Sequence, residues 1–139
     1  MFKVNVPVQV KLILTEQTKQ AIIGDLNRGI QQIQNELEQL EFQARKALSD
    51  AEKQGPQAVA GVQGRINQER GQRMERREQM TQQLVNIQQT PIGTEISGGQ
   101  MEAPVDINVG DVWEEVVQSN EIVLKEGVVV EIRRAGGHA

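Results

Sequence analysis

Five arginines fall within thirteen residues: Arg65, Arg70, Arg73, Arg76 and Arg77. Of all the side chains in this sequence they have the plainest chemical use, because guanidinium groups hold phosphate through paired hydrogen bonds. Glu69, Glu75 and Glu78 are interleaved with them and cut the local charge to +2. No aromatic stands beside them to stack a base, as single-stranded nucleic acid would need. Ion pairs at i,i+3 and i,i+4 along a solvated helix flank are therefore the plainer reading. Phosphate contact with RNA through the five arginines is the alternative.

The other reactive groups do not converge. The chain has no cysteine, so disulfides, thiolate metal ligands and cysteine nucleophiles are excluded. His138 is the single histidine and stands alone in the expected tail, without the clustered acids or thiolates of a metal site. Glu114 and Glu115 are adjacent, so on a helix their carboxylates project about 100° apart. General acid–base catalysis needs groups that meet on one proton. Gly98-Gly99 lacks the Lys-Ser/Thr of a P-loop and the third glycine of a dinucleotide fingerprint; it reads as a hairpin turn. The expectation is no catalytic residue, no metal, no cofactor and no enzyme; only a site shared between subunits could bring such groups together.

The arginines belong to the second of two long helical segments. In the first, from about Glu16 to Gln54, Ile23, Leu26, Ile30, Ile33, Leu37, Leu40, Ala44, Ala47 and Ala51 recur at alternating spacings of three and four. A sustained heptad of this kind predicts a supercoiled partner helix. The second, from about Pro56 to Gln89, supplies that partner by reflection. Ile23 matches Ile87, Leu26 matches Leu84, Ile30 matches Met80, Ala44 matches Ile66 and Ala51 matches Val59, each pair of numbers summing to 110. The fold point is Gly55-Pro56, glycine just past one helix and proline in the first turn of the next. Gly24 and Gly29 weaken the first helix by up to about 1 kcal/mol each relative to alanine.

Arg70, Arg73 and Arg77 fall opposite Leu40, Leu37 and Ile33 in this mirror. Their stems can cover the leucines while the guanidiniums reach water, Glu36 or Glu41. Alternatively the first helix reserves Ile33, Leu37 and Leu40 for another chain. Phe42 falls at position f, pointing away from the seam, where an aromatic implies self-association or a partner. Ile33, Leu37, Leu40 and Phe42 are thus the candidate interface, with two hairpins side by side as the hypothesis. A domain-swapped dimer satisfies the same mirror.

The flanks are strand-like. Phe2 to Leu14 alternates Val4, Val6, Val8, Val10, Leu12 and Leu14 with mostly polar residues, a period of two. Pro7 has no N–H and marks an edge or a bend. Thr15 is placed to cap the first helix. Gln100 to Asn108 alternates again. Asp111 to Gln118 reads as a short helix, with Trp113, Val116 and Val117 facing the sheet and Trp113 filling its core. Glu121 to Lys125 and Val128 to Arg133 form a hairpin across Glu126-Gly127. An isolated amphipathic strand is not stable, so the N-terminal strand joins the C-terminal ones.

The fold expected is α+β: a long antiparallel two-helix coiled coil projecting from a small β-sheet or partial barrel formed by both termini. It is read as one domain over 1–139. Residues 1–14 form the N-terminal strand, 15–89 the helical arm with its turn near 55–56, 90–134 the rest of the β head and 135–139 a flexible tail. Three aromatics, Phe2, Phe42 and Trp113, cannot build a deep aromatic core. A net charge of −4 argues against bulk attraction to nucleic acid. There is no signal-peptide apolar block and no apolar run long enough to span a bilayer, so no membrane association is expected and the cytoplasm is the expected location.

Four stretches resemble the YlqD family of bacterial proteins: Val10-Lys11-Leu12-Ile13-Leu14-Thr15-Glu16, Thr90-Pro91-Ile92-Gly93-Thr94-Glu95-Ile96, Val109-Gly110-Asp111-Val112-Trp113, and Lys125-Glu126-Gly127-Val128-Val129-Val130-Glu131-Ile132-Arg133. The likeness covers both ends and the layout. It implies a fold and a bacterial cytosol and carries over no catalytic residue. The function expected is that of a non-enzymatic interaction protein, a scaffold or chaperone-like adaptor with an unknown protein partner and a homodimer as the favoured form. The alternative is an RNA- or ribosome-associated protein using the arginine face.

Overall fold

A computed structural model describes residues 2–118 and 120–134. The expected tail, 135–139, with His138, lies outside the described residues. The elements run β1 (Phe2–Ile13), α1 (Glu16–Glu52), α2 (Pro56–Gln89), β2 (Glu95–Ile107), α3 (Trp113–Gln118), β3 (Glu121–Lys125) and β4 (Val128–Arg133). They divide into two compact units, one built from Met1–Gln20 with Thr90–Ala139, the other from Ala21–Gln89.

The first unit is an open four-stranded sheet of order β2-β1-β3-β4. β1 pairs antiparallel with β2 along its whole length, from Phe2 opposite Ile107 to Ile13 opposite Glu95. It pairs parallel with β3 only from Gln9 to Leu12. This short second pairing explains how proline sits in an inner strand. The Gln9 N–H donates to the Asn120 carbonyl at 3.0 Å, on the β3 side. Pro7, two residues earlier, turns its nitrogen to the same side, short of where β3 begins, so the edge expected at Pro7 is a local one. The alternation of β1 places Val6 and Val8 in the core, and Leu14 is fully buried where the strand ends.

Gly98-Gly99 is not a hairpin turn but a bulge inside β2. Gln9 faces Gln100 and Lys11 faces Ser97, so two glycines stand opposite the single residue Val10. Each is required for its own reason. A Cβ on Gly98 would lie 2.8 Å from Leu12 Cγ and 3.2 Å from Val10 Cγ1, while Gly99 has φ +106°. The β3–β4 hairpin turns at Glu126 (φ +50°) and Gly127 (φ +80°), two left-handed residues as in a type I′ turn.

Arg133, on one outer strand, donates to Glu95, on the other, at 2.6 and 2.8 Å. The sheet therefore curls far enough for one side chain to link its edges, although no backbone pairing closes it. The same guanidinium donates to Glu121 at 3.3 Å and to Glu131 at 3.1 Å. Val123, opposite Glu131 and so on the face that Arg133 crosses, is fully buried. Hydrogen bonding from Arg133 lowers the Glu95 pKa. Trp113 does not fill the sheet core: it is 58% exposed, whereas Val116 and Val117 of the same short helix are half-buried. A six-residue helix has room to bury one face, and the valines occupy it.

Thr15 caps α1: its Oγ1 accepts the Thr18 N–H at 3.1 Å, and its carbonyl accepts the first helical bond, from Lys19, at 2.8 Å. The Lys19 Nζ donates to the Thr90 carbonyl at 2.9 Å, a cation on a carbonyl freed where α2 ends. Leu14 and Gly93–Thr94 exchange backbone bonds of 2.7 and 2.8 Å.

The second unit is the helical hairpin. Gly55 takes φ +119° just after α1, its N–H donating to Ala51, and Pro56 opens α2. The heptad residues Ile33, Leu40, Ala44 and Ala51 of α1 are buried, as are Ile66 and Ile87 of α2. Gly29 has a packing role, because a Cβ there would collide with the Met80 methyl. The absent side chain lets Met80 lie against α1 at the level the mirror assigned to Ile30. No helix among the described residues is long and apolar enough to cross a membrane.

Candidate functional site

The four residues expected to form an interface separate into two groups. Ile33 and Leu40 are 1% and 5% exposed and are consumed inside the hairpin, and Leu37 is half-buried beside them. Phe42 is 73% exposed. It shares α1 with the seam residues but lies two positions from Leu40, about 200° around the helix and so on the far face. Gln32, Asn35, Glu38 and Gln39 border it there in a shallow polar hollow. Among the large apolar side chains of the hairpin that are exposed, Phe42 is the largest and the most exposed, ahead of Met74 and Val85, and a covering surface would recover the apolar area it leaves in water.

The arginines explain how the hairpin closes over Leu37 and Leu40. Arg70 Nε donates to Glu41 Oε1 at 2.6 Å. Arg73 and Arg76 both approach Glu36 Oε2, at 3.7 and 3.9 Å. Each guanidinium thus reaches from α2 to a glutamate of α1, and the methylene stems lie across the seam. The hydrogen bond from Arg70 holds the Glu41 carboxyl below its usual pKa, and Glu41 in turn raises that of Arg70. Arg73 also donates to the Glu69 carbonyl at 3.2 Å. Its Nε is buried without a hydrogen bond and faces Glu36 at long range. Arg65 is exposed and Arg77 half-buried. Three of the five arginines are therefore committed to glutamates of the neighbouring helix, and a phosphate would have to compete for them.

Elsewhere the chemistry is sparse. In the sheet unit, Asp106, Asp111, Glu115 and Arg134 line a hollow beside α3. Asp111 is occupied there, accepting the Asn108 N–H at 2.8 Å. Among the described residues no three His, Cys, Asp or Glu side chains are grouped to hold a metal ion. Sequence reasoning missed the Arg133 cluster, since nothing in the spacing of Glu95, Glu121, Glu131 and Arg133 announces that the sheet curls. It also said nothing of the burial of β4, whose Val128, Val129, Val130 and Ile132 are exposed.

Comparison with known proteins follows the same outline. The family model for YlqD protein matches residues 2–133. The uncharacterized protein YlqD of Bacillus subtilis (strain 168) is 30% identical over 127 residues, covering 91% of this chain and 94% of the relative. A crystal structure of a protein of unknown function from Synechococcus sp. WH 8102 superposes with a TM-score of 0.81 at 24% identity, covering 94% of this chain and 93% of that one, a likeness of fold.

Proposed function

The chain belongs to the YlqD family, and from that premise we propose that it is a non-enzymatic interaction protein of the bacterial cytoplasm, a scaffold or adaptor whose helical hairpin presents the contact surface and whose Phe42 is the anchor. The observation that carries this reading is the contrast within α1. The seam residues Ile33 and Leu40 are satisfied inside the chain, whereas Phe42 is left 73% exposed on the outward face. Large aromatic side chains at the centre of a polar surround are the residues that dominate binding energy at protein interfaces. The surround is polar and mixed in charge, with Glu38 and Gln39 before it and the exposed Arg45 and Lys46 three and four residues after it, which suits a partner surface that is apolar with polar edges. The RNA reading has less support, because Arg70, Arg73 and Arg76 face glutamates of α1.

The test is capture from a bacterial lysate on immobilised wild-type protein and on Phe42→Asp, each with and without nuclease. Proteins held by the wild type after nuclease and lost with Phe42→Asp support the proposal. Retention that nuclease abolishes and Phe42→Asp leaves unchanged overturns it in favour of the arginine face.

A further inference from the structure

Phe42 separates an acid from two bases on the outward face of α1. One turn before it stands Glu38, and one turn after it stand Arg45 and Lys46, all exposed. Glu38 cannot meet either cation on its own helix. It lies seven and eight residues from them, beyond the reach of i,i+3 and i,i+4 pairs, with the ring of Phe42 between. Among the described residues no ion pair engages any of the three. Asn35, two turns before Phe42, and Ser49, two turns after it, continue the same exposed stripe without charge.

Resting on the reading of Phe42 as the anchor, we propose that its partner is a second copy of this chain, with the two α1 helices antiparallel about a two-fold axis through Phe42. The stripe is complementary to itself under that symmetry, as a two-fold contact requires. Residues whose numbers sum to 84 stand level with each other. Phe42 meets Phe42, an aromatic pair. Glu38 stands level with Lys46 of the second copy and one residue from its Arg45, and Asn35 stands level with Ser49. Each opposite-charge contact occurs twice. Charge fixes the orientation and register rather than the strength of the contact. A parallel pair would set Glu38, Arg45 and Lys46 each against itself. Sliding the antiparallel pair by one turn puts the axis on Glu38 or on Lys46, again like against like, and moves the ring onto Gln34 or Asp50. In the register through Phe42, Gln32 stands level with Glu52, so the contact stays within α1. Its apolar core is one ring per copy, which places the association in the weak, transient class.

Sedimentation equilibrium of the full chain, carried to millimolar concentration, tests this. The expected result is a mass rising toward twice 15.5 kDa, and Phe42→Asp should hold it at the single-chain value with an unchanged far-UV circular dichroism spectrum. Glu38→Lys makes the three charges basic throughout, and Arg45→Glu with Lys46→Glu makes them acidic throughout. Each variant alone should associate about tenfold more weakly than the wild type, and an equal mixture of the two should recover association. The chain has no cysteine, so introduced thiols read the register. Asn35→Cys and Ser49→Cys chains should form a disulfide-linked pair when mixed and oxidised, and neither should do so alone. A mixture of the charge variants that stays monomeric, or either cysteine variant linking alone as readily as the mixture, overturns the antiparallel pair. A single-chain mass at every concentration, with lysate capture that still depends on Phe42, overturns this inference and leaves the proposed function standing. The same mass with capture indifferent to Phe42 overturns both.

Discussion

The same substitution, glycine to alanine, should have opposite signs at two places in this chain. At Gly98 the added Cβ meets Leu12 Cγ at 2.8 Å, Leu12 Cδ2 at 3.0 Å and Val10 Cγ1 at 3.2 Å. The nearest atom is the branch point of a leucine, not the free end of a long side chain, so relief requires Leu12 to leave its rotamer or β2 to lift from β1. Overpacking of that kind costs about 1–3 kcal/mol. Gly64 lies on the exposed side of α2 with nothing within 4 Å of its would-be Cβ. There alanine removes backbone freedom from the unfolded chain and should stabilise by up to about 1 kcal/mol. The two variants should therefore differ by about 1–4 kcal/mol in stability. Urea unfolding followed by far-UV circular dichroism reads the global value. Hydrogen exchange of β1 and α2 peptides reads each unit separately, because local openings have their own free energies. A Gly98→Ala variant as protected in β1 as the wild type would refute the close approach of β2 to Leu12, and with it the bulge.

Three further outcomes are expected. Glu126→Asn should stabilise the β3–β4 hairpin by about 0.5–1 kcal/mol, because asparagine tolerates the left-handed conformation that Glu126 is forced into; a loss in thermal stability would contradict the type I′ geometry. Thr15→Ala should cost about 1 kcal/mol and Thr15→Ser a small fraction of that, read from urea midpoints, since serine keeps the oxygen that accepts the Thr18 N–H. The last concerns acid. Arg133 lowers the Glu95 pKa from an ordinary value of 4.5, so the pair's contribution is present above that value and disappears as pH falls through the lower folded one. Glu95→Gln should remove part of the wild type's acid sensitivity below pH 4.5, measured as unfolding midpoint against pH; parallel profiles would show that the cluster adds nothing.

The hairpin was legible because it is a local problem written twice. One heptad series and its reflection about residue 55 determine which residues meet, and glycine followed by proline marks the reversal. The guanidinium bridges to Glu36 and Glu41 were legible for the same reason, since the mirror sets Arg70 and Arg73 level with Leu40 and Leu37. β1, β3, β4, the Thr15 cap and the Glu126-Gly127 turn depend on neighbours in sequence and were legible there, whereas β2 begins at Glu95, five residues before the alternation at Gln100 that announces it. What could not be read depends on distant segments. The parallel pairing of β1 with β3 joins residues more than a hundred positions apart. Gly98-Gly99 looks like a turn until the partner strand is known to continue past it on both sides. Trp113 read as core from its place in an amphipathic turn, but the face of α3 that packs is decided by what lies beneath it. Phe42 was legible as outward-facing from its heptad position alone, whereas Ile33 and Leu40 left two readings open, covered by arginine stems or reserved for another chain, and their burial inside the hairpin supports the first.

The most direct test of the central claim places a photoreactive aromatic amino acid at position 42 in the native bacterium, with the same residue at Gln83 of α2 as control. Irradiation in living cells should yield a discrete cross-linked protein species from position 42 and none from position 83. Cross-links to RNA alone, or equal and diffuse adducts from both positions, would contradict a hairpin that works by presenting Phe42 to a protein.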